Sequence, residues 1–196
     1  MTKSRYNLAF RLSLFLILSL GFAAGLRLQE TPKPRPAEWS GNFNEGWRQF
    51  EQMTNEQKYE AASSLVEKML ADARARKNST EWTRCLIRYT QLRIALHGYE
   101  TAVLFLKEQP WPGDFAGSSL LNLFYAQSLV TYARDYSWEI NQRERMDSKG
   151  IVDLKAWTRD QIYEEAQKAF ENVWKMRGQL GDLPVIQWKE YITPNN

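Results

Sequence analysis

One histidine and one cysteine are all that this chain carries, and that scarcity removes most catalytic chemistry at once. Any Ser-His-Asp or Cys-His arrangement would have to use His97. It sits beside Gly98 at a break between two helical stretches, where a C-terminal capping role is common. Cys85 has no partner for an internal disulfide and no second Cys or His at metal-ligand spacing. It shares an apolar helical face with Trp82 and Tyr89, as a buried structural thiol does. Phosphate loops are missing too: PGDFAGSS, residues 112–119, has two glycines but no lysine. Carboxylate pairs such as Glu164-Glu165, or Glu139 with Glu144, fall on amphipathic helices, where charged residues form solvated faces. No catalytic residue, cofactor or metal is expected, and the chain reads as a non-enzyme.

The charge is also less than it looks. The formal +3 comes from Lys3, Arg5 and Arg11, because residues 1–25 hold no acid. The rest of the chain is neutral, so the basic balance is no nucleic-acid footprint. What is abundant is aromatic surface, with 8 Trp, 9 Tyr and 9 Phe, which reads first as a helix-packing core.

Residues 1–25 read as a signal peptide. MTKSRYNLAFR is a basic start, and LSLFLILSLGFAA, residues 12–24, is a continuous apolar run. As a helix that run spans roughly 20 Å, short of a hydrocarbon core of about 30 Å. Uncleaved, residues 8–24 would form an N-terminal membrane anchor. Residues 26–43 hold Pro32, Pro34 and Pro36 at alternate positions and read as a proline-rich linker. Residues 44–196 are then the folded part, exported to the periplasm or cell envelope.

That part patterns as helices, without a convincing strand. Thr54-x-x-Gln57 reads as a capping box ahead of Tyr59, Ala62, Leu65, Val66, Met69, Leu70 and Ala73, all on one face. Asn78-Ser79-Thr80 fits a glycosylation sequon, but a helix start explains it better. A second stripe runs through Trp82, Cys85, Leu86, Tyr89, Leu92 and Leu96. A third runs through Tyr99, Ala102, Val103 and Leu106, stopped by QPWPGD at 109–114. A fourth covers about 118–136. Thr158-x-x-Gln161 caps a last stripe of Ile162, Ala166, Ala169, Phe170, Val173 and Trp174, with Gly178 as its left-handed terminator. Tyr-Glu-x-Ala occurs at 59–62, 99–102 and 163–166, placing an aromatic and a small residue on one face. Gly98-Tyr99-x-x-Ala102 resembles the second helix of a tetratricopeptide hairpin. The expected fold is all-α: irregular TPR-like hairpins in a short α-solenoid, with a plain helical bundle as the other arrangement the pattern allows.

Residues 132–158 are the most unusual stretch. Tyr136, Trp138, Arg143, Glu144 and Trp157 form either a connection pinned by Arg–carboxylate pairs or a partner-contact surface rich in hot-spot residue types. An exported ligand-binding protein or enzyme with an aromatic groove is the alternative. It requires a pocket gathering Trp138, Trp157 or Trp111 with two carboxylates.

The series W-x-x-F, YEAA, LHGYETAV, PWP, YSWEINQRE, VDLKAWT and VW-x-x-R resembles the N-terminal helical region of very large bacterial α2-macroglobulin-like proteins. The resemblance covers about residues 44–196. It implies an envelope protein of a protease-trapping family, with protein partners that include downstream macroglobulin-type domains. The family's Cys-x-Glu-Gln thioester has no counterpart, since Leu86, Ile87 and Arg88 follow Cys85. Neither is there a bait region. Trapping itself does not carry over; an exported interaction or spacer role does.

Overall fold

Three helix turns are spaced by twenty residues each, and they set the front of the molecule. Gln57, Lys77 and His97 all adopt left-handed backbone, with φ of 57°, 52° and 59°. At each turn the next amide donates back across the helix end: Lys58 to Met53 at 2.8 Å, Asn78 to Ala73 at 2.9 Å, Gly98 to Arg93 at 2.7 Å. The left-handed residue's own amide closes the inner bond, to Thr54, Arg74 and Ile94. These are Schellman motifs without glycine at the left-handed position.

The computed structural model describes residues 39–144, 153–184 and 189–191. The expected signal peptide and most of the proline-rich linker lie outside them. All regular structure among the described residues is helical. The front holds α1 (Phe43–Asn55), α2 (Tyr59–Ala75), α3 (Ser79–Ala95) and α4 (Tyr99–Glu108). The rear holds α5 (Phe115–Asp135), α6 (Ser137–Asn141), a 3-10 turn (Leu154–Ala156), α7 (Arg159–Lys175) and α8 (Arg177–Gly181). Each helix from α1 to α5 packs on its sequence neighbour; α5 also packs on α3 and, most extensively, on α7. Short turns between sequential helices make antiparallel neighbours.

Asn42 caps α1 by accepting from the amides of Asn44 and Glu45. This helix escaped the sequence reading. Trp39 and Phe43, placed there in the linker, pack together at 5.1 Å, and Trp39 donates to Asp72. Gly46 permits the close approach of α1 to α2: a Cβ there would lie 2.6 Å from the Trp39 ring and 2.9 Å from Met69 Sδ. The capping box expected at Thr54 does not form. Thr54 lies in the last turn of α1, and its hydroxyl donates to the carbonyls of Phe50 and Glu51. Gln57 is used instead as the left-handed residue. Asn78 does cap α3, accepting from Glu81 N.

Two of the three Tyr-Glu-x-Ala segments behave as expected. Tyr59 and Tyr99 open α2 and α4, and Ala62 and Ala102 are fully buried where neighbouring helices meet. Tyr163 does not open α7. Thr158 begins that helix with a complete capping box, and Tyr163, one turn later, points outward. Gly178 falls inside α8, and the only positive-φ glycine among the described residues is Gly41.

Candidate partner-contact surface

The five residues singled out at 136–157 are divided by the fold. Tyr136 caps α5, packs at a tilt on Tyr132 at 5.1 Å and meets Tyr99 edge-on at 6.2 Å. Arg143 turns inward. Its Nη1 donates to the Leu154 carbonyl at 3.2 Å and the Trp157 carbonyl at 2.9 Å, and its Nη2 to the Tyr132 hydroxyl at 3.3 Å. The expected Arg–carboxylate pinning is therefore Arg–backbone pinning: a guanidinium fork reaches two carbonyls where the chain enters the 3-10 turn. Trp157 is half-buried beneath Lys107 Nζ, 4.6 Å from its ring centre. Only Trp138, 74% exposed, and Glu144 face solvent.

A polar groove of about 420 Å³ lies between α4, α5 and α7. Glu165 is its hub, accepting from Lys107 Nζ at 3.0 Å and from the Tyr125 hydroxyl at 3.2 Å. Burial alone would raise the Glu165 pKa. The hydrogen bond and charge of Lys107, with Lys168 and Tyr125 behind them, outweigh it and hold the carboxyl below its ordinary value. Burial, then the adjacent Glu165 charge, pushes the Tyr125 phenol up. Asn172 donates to Asn122 across the same groove at 3.2 Å. Trp111 lines it, with Nε1 donating to the Leu106 carbonyl. The groove walls hold one carboxylate and do not include Trp138.

Burial raises the Cys85 thiol, and the side chain is fully enclosed in the core. His97 occupies the α3–α4 turn. No group of three His, Cys, Asp or Glu side chains among the described residues could hold a metal ion. No helix among them is long and apolar enough to cross a membrane.

The surface that the sequence reading missed is the outer face of α7. Ile162, Ala166 and Ala169 are buried, but Phe170 and Trp174, expected on the same stripe, are 44% and 67% exposed. They belong to a second stripe, Tyr163-Gln167-Phe170-Trp174, displaced by one residue. Arg159 stands over the Tyr163 ring at 5.5 Å and Arg177 over the Trp174 ring at 4.6 Å. Two parallel stripes on one helix, each at spacings of three and four, were the available signal. The first helix among the described residues is unlike it. The corresponding outer stripe of α1 is Asn44-Arg48-Glu51-Asn55, polar throughout, while Trp47 and Phe50 face inward. No family model matches the chain, and no curated protein or solved structure matches it.

Proposed function

We propose that the chain is a non-enzymatic helical interaction module, a short α-solenoid that is TPR-like over its first four helices. The observation carrying this reading is the contrast between the outer stripes of α1 and α7, the first and last long helices among the described residues. A solenoid stops where its outer face is polar and continues where that face is apolar. The α1 stripe is a cap. The α7 stripe, with Trp174 67% exposed, is an uncovered packing face rich in Trp, Tyr and flanking Arg.

The partner of this face is a protein domain that lays an apolar surface along α7. The resemblance in YSWEINQRE and VDLKAWT makes macroglobulin-type domains the partner of choice, with the helical array as a spacer on the envelope side. The basic, apolar N-terminus supports export to the periplasm or cell envelope, either released or anchored through residues 8–24. The groove at Glu165 offers Trp111 but no second carboxylate, and Trp138 stands apart from it. It does not supply the pocket that the ligand-binding alternative requires.

A photo-crosslinking residue placed at Trp174, and separately at Glu51, tests the reading in cells. The expected result is a discrete crosslink from position 174 to a macroglobulin-type domain, and none from position 51. Crosslinking from both positions alike, or from neither, would overturn it.

A further inference from the structure

Lys189–Tyr191 lies well beyond the last helix in sequence, yet it is held against the middle of the array. Glu190 Oε1 pairs with Arg84 Nη2 at 2.9 Å and Arg88 Nη2 at 2.6 Å. The two arginines are four apart on α3, so one helix face brings both to one carboxylate. Arg84 is itself steadied by the Trp47 ring, 4.2 Å below its guanidinium carbon. Tyr191 packs beside them, half-buried, with Arg88 6.0 Å from its ring centre. Burial, reinforced by Glu190, pushes its phenol up to about 12.

The Tyr191 ring forms one wall of a cleft of about 310 Å³ at the start of α5. Thr83 lines this cleft at 4% exposure, and its hydroxyl has no hydrogen-bond partner. Asp114, on the same cleft, caps α5 through Oδ2 to Gly117 N at 2.7 Å, and its Oδ1 has no partner. A buried hydroxyl and a carboxylate oxygen left unmatched across one cleft supply a donor and an acceptor. A peptide amide, with one C=O and one N–H, satisfies both.

We propose that this face of α3 and α5 is a recognition site for a short peptide in which an acidic residue is followed directly by an aromatic one, and that Glu190-Tyr191 occupies it in cis. The arginine pair reads the carboxylate. The opposite wall of the cleft, with Thr80, Ala116 and Leu120, reads the ring. Thr83 and Asp114 take the amide of a neighbouring residue of a trans ligand. The site is separate from the α7 stripe, so its failure leaves the interaction-module reading standing.

The test uses the full chain and a fluorescein-labelled peptide of residues 186–194, Ile-Gln-Trp-Lys-Glu-Tyr-Ile-Thr-Pro. A Glu190→Ala, Tyr191→Ala variant vacates the site. Because a tethered segment competes at an effective concentration on the order of millimolar, the variant should bind the peptide at least about tenfold more tightly than the parent chain. Glu→Gln in the peptide, or Arg88→Ala in the variant, should abolish binding. Equal affinity for parent and variant, or indifference to the Gln peptide, would overturn the proposal. A second measurement needs no variant. With unlabelled peptide added to the parent chain, the amide resonances of Glu190 and Tyr191 should shift as the cis segment is displaced; resonances unmoved at saturating peptide contradict the site.

Discussion

The front and the rear of this array solve the same packing problem by different means. From α1 to α4 three Schellman turns recur twenty residues apart, α2 and α3 are each 17 residues long, and Ala62 and Ala102 are fully buried. Backbone geometry does the positioning. From α5 onward the period is lost. A 21-residue helix, a 3-10 turn and α7 are joined by individual side chains, with Arg143 on two carbonyls and Glu165 between Lys107 and Tyr125. The two ends differ in the same sense. The outer stripe of α1 is polar, and that of α7 carries exposed Tyr163, Phe170 and Trp174.

The comparison is broken most severely by treating the two ends as equals. Trp47→Ala should cost about 3–5 kcal/mol, because the indole is buried and leaves a cavity. Trp174→Ala should stay within about 0.5 kcal/mol. Urea unfolding of both variants decides this, and comparable losses would erase the distinction. Next comes Ala102→Trp, which overfills a fully buried contact and should cost about 1–3 kcal/mol or more. Ala62→Trp, forty residues earlier in the equivalent place, should behave alike. An unchanged melting temperature in either would sink the repeat. In the rear, Arg143→Ala should cost about 2 kcal/mol by freeing two carbonyls, and Arg143→Lys should recover only part of it, since an ammonium lacks the fork.

A smaller change should run the other way. Lys77→Gly relieves a side chain held at φ 52° and should stabilise the fold by about 0.5–1 kcal/mol; the same substitution at an αR position of α3 should destabilise. The mildest effect is acid sensitivity. The Glu165 carboxyl titrates below its ordinary 4.5, so its stabilisation is complete above that pH and is lost as pH falls through the lower folded value. A Lys107→Met variant should show less acid-dependent loss than the parent in melts taken below pH 4.5.

The all-α class and the inner faces of α2 to α5 were legible because their stripes follow one period. The caps at Asn78 and Thr158 were legible because side-chain chemistry announces them. Of the three turns spaced by twenty residues, only the one at His97-Gly98 was legible, as a helix break with a capping role. Gln57, Lys77 and His97 carry none of the glycine that marks a left-handed terminator, and the backbone bonds that hold them leave no trace in residue type. Thr54 and Gln57 had the spacing of a cap and were used for something else. On α7, reading Phe170 and Trp174 into the buried stripe merged two faces, because a one-residue offset turns a helix by only about 100°. Arg143 was read as part of a pinned connection or of a contact surface; it turns inward onto the Tyr132 hydroxyl and two carbonyls, and carbonyls are partners that every residue has and no sequence displays.

If α7 is a contact face, its aromatic stripe is covered where the protein works. Hydroxyl-radical footprinting of the chain, purified and then in cells, measures this directly. Tyr163, Phe170 and Trp174 should be modified readily in the purified chain and protected in cells, while Trp138 stays reactive in both. Equal modification of the stripe in the two settings would contradict the account and leave α7 as an ordinary solvent-facing helix.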